Sequence, residues 1–162
     1  MKHTRTIALS IVGLISALLL ATLAIAQTAQ ANANNRSEKL FGSWNVVVTT
    51  EVQGTTFPSL LTFSDDGGMI ADEPPSPFET SGHGNWVSAG RREVAYTFVS
   101  LIGSPEGPLS SKLKVVGTLQ HDAGNDSWSG PFKIDVFDAS GQVIFTDQGT
   151  FTLTRIAVES LD

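Results

Sequence analysis

Between residues 43 and 155 the chain is a succession of short runs rich in Val, Ile, Thr and Phe. Most of the breaks between them are too short to hold anything but a turn. Eight runs stand out, at about 43–52, 57–64, 68–73, 83–88, 92–102, 111–121, 127–137 and 142–155. Such runs, punctuated by Gly, Asp, Asn and Pro and lacking helical periodicity, predict an antiparallel all-β domain. The breaks SDDGG (64–68), SAGR (88–91), HDAGND (121–126) and DASGQ (138–142) read as hairpin turns, with Asp-Gly the strongest signal among them. EPPSPFETSG (73–82) carries three prolines and reads as a long loop, as does GSPEGPLS (103–110).

Sequential hairpins make a meander, and an open eight-stranded meander leaves two unpaired edges. Short turns favour closing those edges on each other, as an up-and-down barrel. A two-sheet β-sandwich is the alternative fold, but it would need longer crossing connections. No internal repeat or second domain is visible.

Side-chain alternation gives each strand an apolar row. Trp44, Val46 and Val48 share one face of the first run. Val94, Tyr96, Phe98 and Ile102 form the row of the fifth, and Leu113, Val115, Gly117 and Leu119 that of the sixth. The seventh contributes Trp128, Phe132, Ile134 and Val136, and the eighth Phe145, Phe151 and Leu153. Val47, Val99, Leu101, Val116 and Phe137 fall on the opposite faces, which suits cover by a loop or a second subunit.

A tryptophan at the mouth of the first strand is a natural plug for one end of a barrel. Gly42 lets the chain turn into the strand, and Trp44 then needs a cap. Closure pairs the first strand with the last, which brings Arg155 beside Trp44. A guanidinium over an indole contributes about 0.5–2 kcal/mol. Gly42, Trp44 and Arg155 together resemble the signature of the calycin superfamily, the lipocalins and their relatives. The lengths of the runs are similar to those of the allene oxide cyclase-type barrels. The resemblance implies a calycin-type, lipocalin-like barrel with an interior able to take a small molecule. With no cysteine, the chain lacks the disulfide common in lipocalins.

The inward rows give the expected lining of such an interior: Trp86, Val94, Tyr96 and Phe98 from the fourth and fifth runs, and Leu113, Val115, Phe132 and Phe145 from the last three. The first functional expectation is therefore a binder of a small apolar molecule. The second is a cyclase or isomerase using the same cavity, with Tyr96 and His83 as acid/base candidates. His83 lies in SGHGNW (81–86), whose glycines fit either a close approach at the barrel mouth or a structural bulge with His83 on the rim. Tyr96, the single tyrosine, fits either a ligand contact or a core residue. Asp147 shares a face with Phe145 and Phe151, unless a bulge at Gly149 turns it outward. A third expectation is an interaction module, a homo-oligomer joined through the apolar outer positions. No cofactor or metal is implied: the three histidines form no ligand pattern, HDAGND lacks the spacing of a calcium loop, and there is no nucleophile elbow or phosphate loop.

The first 31 residues read as an export signal. Lys2 and Arg5 precede an apolar run over 7–25, and Ala29-Gln30-Ala31 is a small-x-small site. Cleavage is expected after Ala31, with Ala26 as the second choice and an uncleaved membrane anchor as the alternative. Residues 32–41 are then a loose N-terminal segment, 42–156 the barrel and 157–162 a tail. Removing Lys2 and Arg5 from ten basic residues leaves eight against sixteen acidic ones, a net charge of −8. A mature domain of that charge repels nucleic acid and anionic lipid. The expected location is secreted or periplasmic, with no membrane contact once the signal is gone.

Overall fold

A computed structural model of the chain describes residues 40–74, 78–104 and 107–161. The expected leader and most of the expected loose segment lie outside these residues. Eight antiparallel strands follow one another around a closed barrel: β1 (Gly42–Thr50), β2 (Thr56–Phe63), β3 (Gly68–Asp72), β4 (Gly82–Gly90), β5 (Glu93–Ser104), β6 (Gly107–Asp122), β7 (Ser127–Asp138) and β8 (Val143–Arg155). Each strand pairs with its sequence neighbours, and β1 pairs with β8 from Trp44↔Arg155 to Thr50↔Gly149. The up-and-down barrel predicted by the short turns is the fold, and no sandwich crossing is present.

The sequence-based loop over 103–110 is corrected. β5 continues to Ser104 and β6 starts at Gly107, with Ser104 paired to Gly107. After Ile102↔Ser111 the pairing resumes through a register shift at Ser104↔Gly107, so the composition of the segment did not decide its backbone.

Alternation places the core where expected. Trp44, Val46, Val48, Leu61, Phe63, Val94, Phe98, Val115, Leu119, Trp128 and Leu153 are buried inside. The middle of the barrel is filled by rings. Tyr96 stacks between Phe98 and Phe151, with centroids 6.4 and 5.9 Å away, and Phe132 meets Phe151 at 4.3 Å. Glycines on the walls make room for these rings. A Cβ at Gly82 would come within 2.7 Å of Phe98, and one at Gly149 within 2.8 Å of Phe132. One at Gly117 would come within 2.5 Å of the Tyr96 hydroxyl.

One end is closed. The Trp44 indole donates to the Leu40 carbonyl at 2.8 Å, and the Arg155 guanidinium lies 4.2 Å from the centre of its ring. Arg155 also donates to the Phe41 carbonyl (2.8 Å) and to Asp126 (3.1 Å). Gly42 has φ +110°, and a Cβ there would sit 3.2 Å from an Arg155 nitrogen, so both the turn and the stacked guanidinium favour glycine. The plug starts before Gly42: Leu40 is fully buried, and Phe41 packs on Trp86 at 5.6 Å. These two residues, placed by sequence in the loose N-terminal segment, belong to the core.

Candidate functional site

The open end is set by where β3 stops and β4 begins. β3 ends at Asp72, and the chain returns to the barrel at Phe78. The returning segment runs beside β5. Gly103 donates to the Phe78 carbonyl (2.6 Å), Thr80 donates to the Leu101 carbonyl (3.0 Å), and Leu101 donates to the Thr80 hydroxyl (3.0 Å). Glu79 bridges to Ile102. Between the end of β3, this segment and the inner face of β5 lies a pocket of about 270 Å³. Ala71, Asp72, Glu73 and Pro74 line one side, Glu79, Thr80 and Ser81 the other, and Phe98 and Ser100 the floor.

The polar groups of this pocket differ in what holds them. Asp72 accepts a hydrogen bond from the Ser81 hydroxyl, and its carbonyl accepts one from buried Ser59 (2.9 Å). Ser100, buried in the inward row of β5, hydrogen-bonds Glu79. Burial raises the Glu79 carboxyl above its ordinary range, against the lowering effect of that bond. Glu73 is half-buried, and burial, with the charge of Glu79 added, pushes its carboxyl up to about 7. No hydrogen bond or ion pair holds Glu73 among the described residues, and no Lys, Arg or His lines the pocket. The arrangement pairs an aromatic floor with two carboxyls, Glu73 raised to about 7 and Glu79 raised above its ordinary range.

Asp147 lies on the inward face of β8, 2% exposed. The bulge that would turn it outward does not form. Its carboxylate accepts from the backbone amides of Val52 (2.9 Å), Gln53 (3.3 Å) and Gln148 (2.7 Å). Burial acts to raise its pKa, but the amides together hold it below the usual carboxylate range. Its role is to fasten the β1–β2 connection to β8.

Of the expected lining residues, Phe98 alone borders the pocket. Trp86 and Val94 lie at the plugged end, where the Trp86 indole donates to the Ser64 carbonyl at 3.0 Å. Tyr96 and Phe132 belong to the ring layer, and Val115 is buried in the wall beside Phe98. Leu113 is partly buried towards the open end. Phe145 keeps its inward register but is 36% exposed at the rim, so it does not fill the interior. The Tyr96 hydroxyl is buried without a hydrogen-bond partner among the described residues, and burial pushes its pKa far up.

His83 is exposed on the outer face of β4, beside Thr62, Met69 and Ile70 in a shallow groove. Tyr96 is inside. The two do not open on one cavity, and the acid/base pair expected from the sequence is not assembled. Among the described residues no group of His, Asp and Glu is arranged to hold a metal ion.

Sequence reasoning missed Glu73, Glu79 and Ser100. The available signal was Ser100, a polar residue two positions after Phe98 in an otherwise apolar inward row. The two glutamates bracket a proline-rich stretch, where alternation carries no information.

Compared with family models and with curated proteins, the chain has no match.

Proposed function

We propose that the chain is an exported, calycin-type binding barrel that takes a small molecule with an apolar body at its open end. The observation that carries the reading is the pocket of about 270 Å³ over Phe98, open on one side and closed beneath by the ring layer. That volume is just below the usual range of about 300–1,000 Å³ for small-molecule sites, which suits a small ligand. The calycin assignment is supported by Trp44 and Arg155 facing each other across the β1–β8 seam. Export is supported by the apolar run over 7–25 and the Ala29-Gln30-Ala31 site, and it predicts Asn32 as the mature N-terminus.

The apolar neutral dye N-phenyl-1-naphthylamine tests the reading. Its fluorescence should rise and saturate on titration with the barrel. Ser100→Trp, which fills the floor, should abolish the rise while circular dichroism and the melting transition show a folded barrel. Absence of saturable binding, or binding undiminished in a folded Ser100→Trp protein, would sink the proposal.

A further inference from the structure

Resting on that reading, we infer that the ligand of the open-end pocket is a cation, a small molecule carrying a protonated amine on an aromatic or apolar body. Four features of the pocket point there. Its floor includes Phe98, an aromatic side chain, a type that accepts both an apolar body and a nearby positive charge. Its lining includes three acidic residues, Asp72, Glu73 and Glu79. Among the described residues no basic side chain lines it to neutralise them, and β5 offers Phe98 and Ser100. The three carboxyls are also unequally engaged. Asp72 is tied to Ser81 and Glu79 to Ser100, whereas no described residue donates to Glu73.

A half-buried carboxyl without a donor is a poor neighbour for a ligand anion and a good one for a donor. An ammonium group offers up to three N–H donors and a full positive charge in one compact head. Seated between Glu73 and Glu79, it relieves the repulsion between the two carboxylates and satisfies acceptors that water reaches only from one side. The raised pKa of Glu73 agrees with this arrangement. Near neutral pH the carboxyl is partly protonated, and entry of a cation expels that proton. Affinity for an amine should therefore rise from pH 5.5 to pH 8, so long as the amine itself stays protonated. The other acidic residues lining the pocket are Asp72 and Glu79, and the charge of Glu79 acts in the same direction as burial.

The test is displacement of N-phenyl-1-naphthylamine by three compounds of similar shape: phenethylamine, 2-phenylethanol and 3-phenylpropionate. At pH 8 the amine should displace the dye at a concentration roughly tenfold or more below the alcohol, the size of one charge-assisted hydrogen bond, with the carboxylate weakest. The amine's advantage should shrink at pH 5.5, and it should vanish in Glu73→Gln combined with Glu79→Gln. The ligand and pH series on the natural protein stands even if that double variant does not fold. Equal displacement by amine and alcohol, or a preference for the carboxylate, would overturn the inference while leaving a small-molecule barrel. Failure of the dye itself to bind would remove the pocket reading and the inference with it.

Discussion

Where β1 begins, the barrel interior holds Trp44, Trp86 and Trp128, with Phe63, Leu119 and Leu153 between them. Where β1 ends, the buried inward positions carry Thr50, Ser59, Ser100 and Asp147. These four are the buried polar residues among the described part of the chain, and all lie towards the open end. Each is engaged. Thr50 bonds Thr55, Ser59 holds the end of β3, Ser100 bonds Glu79, and Asp147 gathers three amides. The plugged end closes on apolar area, with one guanidinium as its cap. The open end is held by hydrogen bonds to connections that leave the barrel. A polar residue facing inward is thus not in itself a ligand contact. The group that stands out is the one left without a donor, and at the open end that is Glu73.

The contrast is broken most severely by removing the plug. Trp44→Ala should destabilise the protein by about 3–5 kcal/mol, because it empties a large, fully buried site that few neighbours can collapse into. Denaturant unfolding measures it. A loss under about 1 kcal/mol would mean that the plugged end is not where stability is concentrated.

A smaller effect isolates the cap. Arg155→Ala removes a stacked guanidinium and its bonds to Phe41 and Asp126. In a double-mutant cycle with Trp44→Ala, the two losses should fall short of additive by about 0.5–2 kcal/mol. Full additivity would show that the indole and the guanidinium do not support one another, and the proposal of a calycin-type barrel would lose its main support.

The open end should answer to pH rather than to volume. Glu73 has its folded-state pKa raised from 4.5 to about 7, so the folded protein holds this proton more tightly than the unfolded chain. The charged carboxylate therefore costs stability above pH 7, and the cost disappears as pH falls towards 4.5. Glu73→Gln should stabilise the protein at pH 8 by on the order of 1 kcal/mol, after allowing for solvent screening of a half-exposed group. At pH 4.5 it should change little. Asp147 has the opposite sign: its amide partners favour the charged form, so its contribution is present above its unfolded value of 3.8 and is lost as pH falls below that. Melting temperatures of the natural protein and Glu73→Gln at pH 4.5, 6 and 8 follow Glu73 alone, since Asp147 stays charged throughout that range. A variant curve parallel to the natural one across that range would remove the Glu73 assignment.

The plugged end was legible in the sequence because its parts obey local rules. Alternation places Trp44 inside, a glycine precedes it, and closure of a meander fixes Arg155 opposite. The open end was not, for reasons that can be named. Glu73 and Glu79 sit where the strand period stops, and only tertiary placement beside β5 turns them towards Phe98. Phe145 has the right face but the wrong depth, because alternation gives direction and not distance along the axis. His83 was decidable: with Trp86 inside, the period of two puts residue 83 outside, and the flanking glycines drew attention from that count. Ser100 was decidable in the same way.

The smallest expected effect tests the layer between the two ends. The Tyr96 hydroxyl is buried against Gly117 with no hydrogen-bond partner among the described residues. An unpartnered buried hydroxyl has lost its water without replacement, which costs roughly 1–3 kcal/mol. Tyr96→Phe keeps the ring stacked between Phe98 and Phe151 and removes only that oxygen. The variant should be as stable as the natural protein or more so, by up to about 1 kcal/mol. Dye binding should be unchanged, because Tyr96 does not line the pocket. If the hydroxyl were an acid or a ligand contact, the same change would weaken binding about tenfold with little effect on stability. Loss of stability beyond about 1 kcal/mol would instead mean that the hydroxyl has a partner in the folded protein, and the ring layer would no longer be a dry partition between plug and pocket. Chemical denaturation and dye titration of this one variant distinguish the three outcomes, since each moves a different pair of readings.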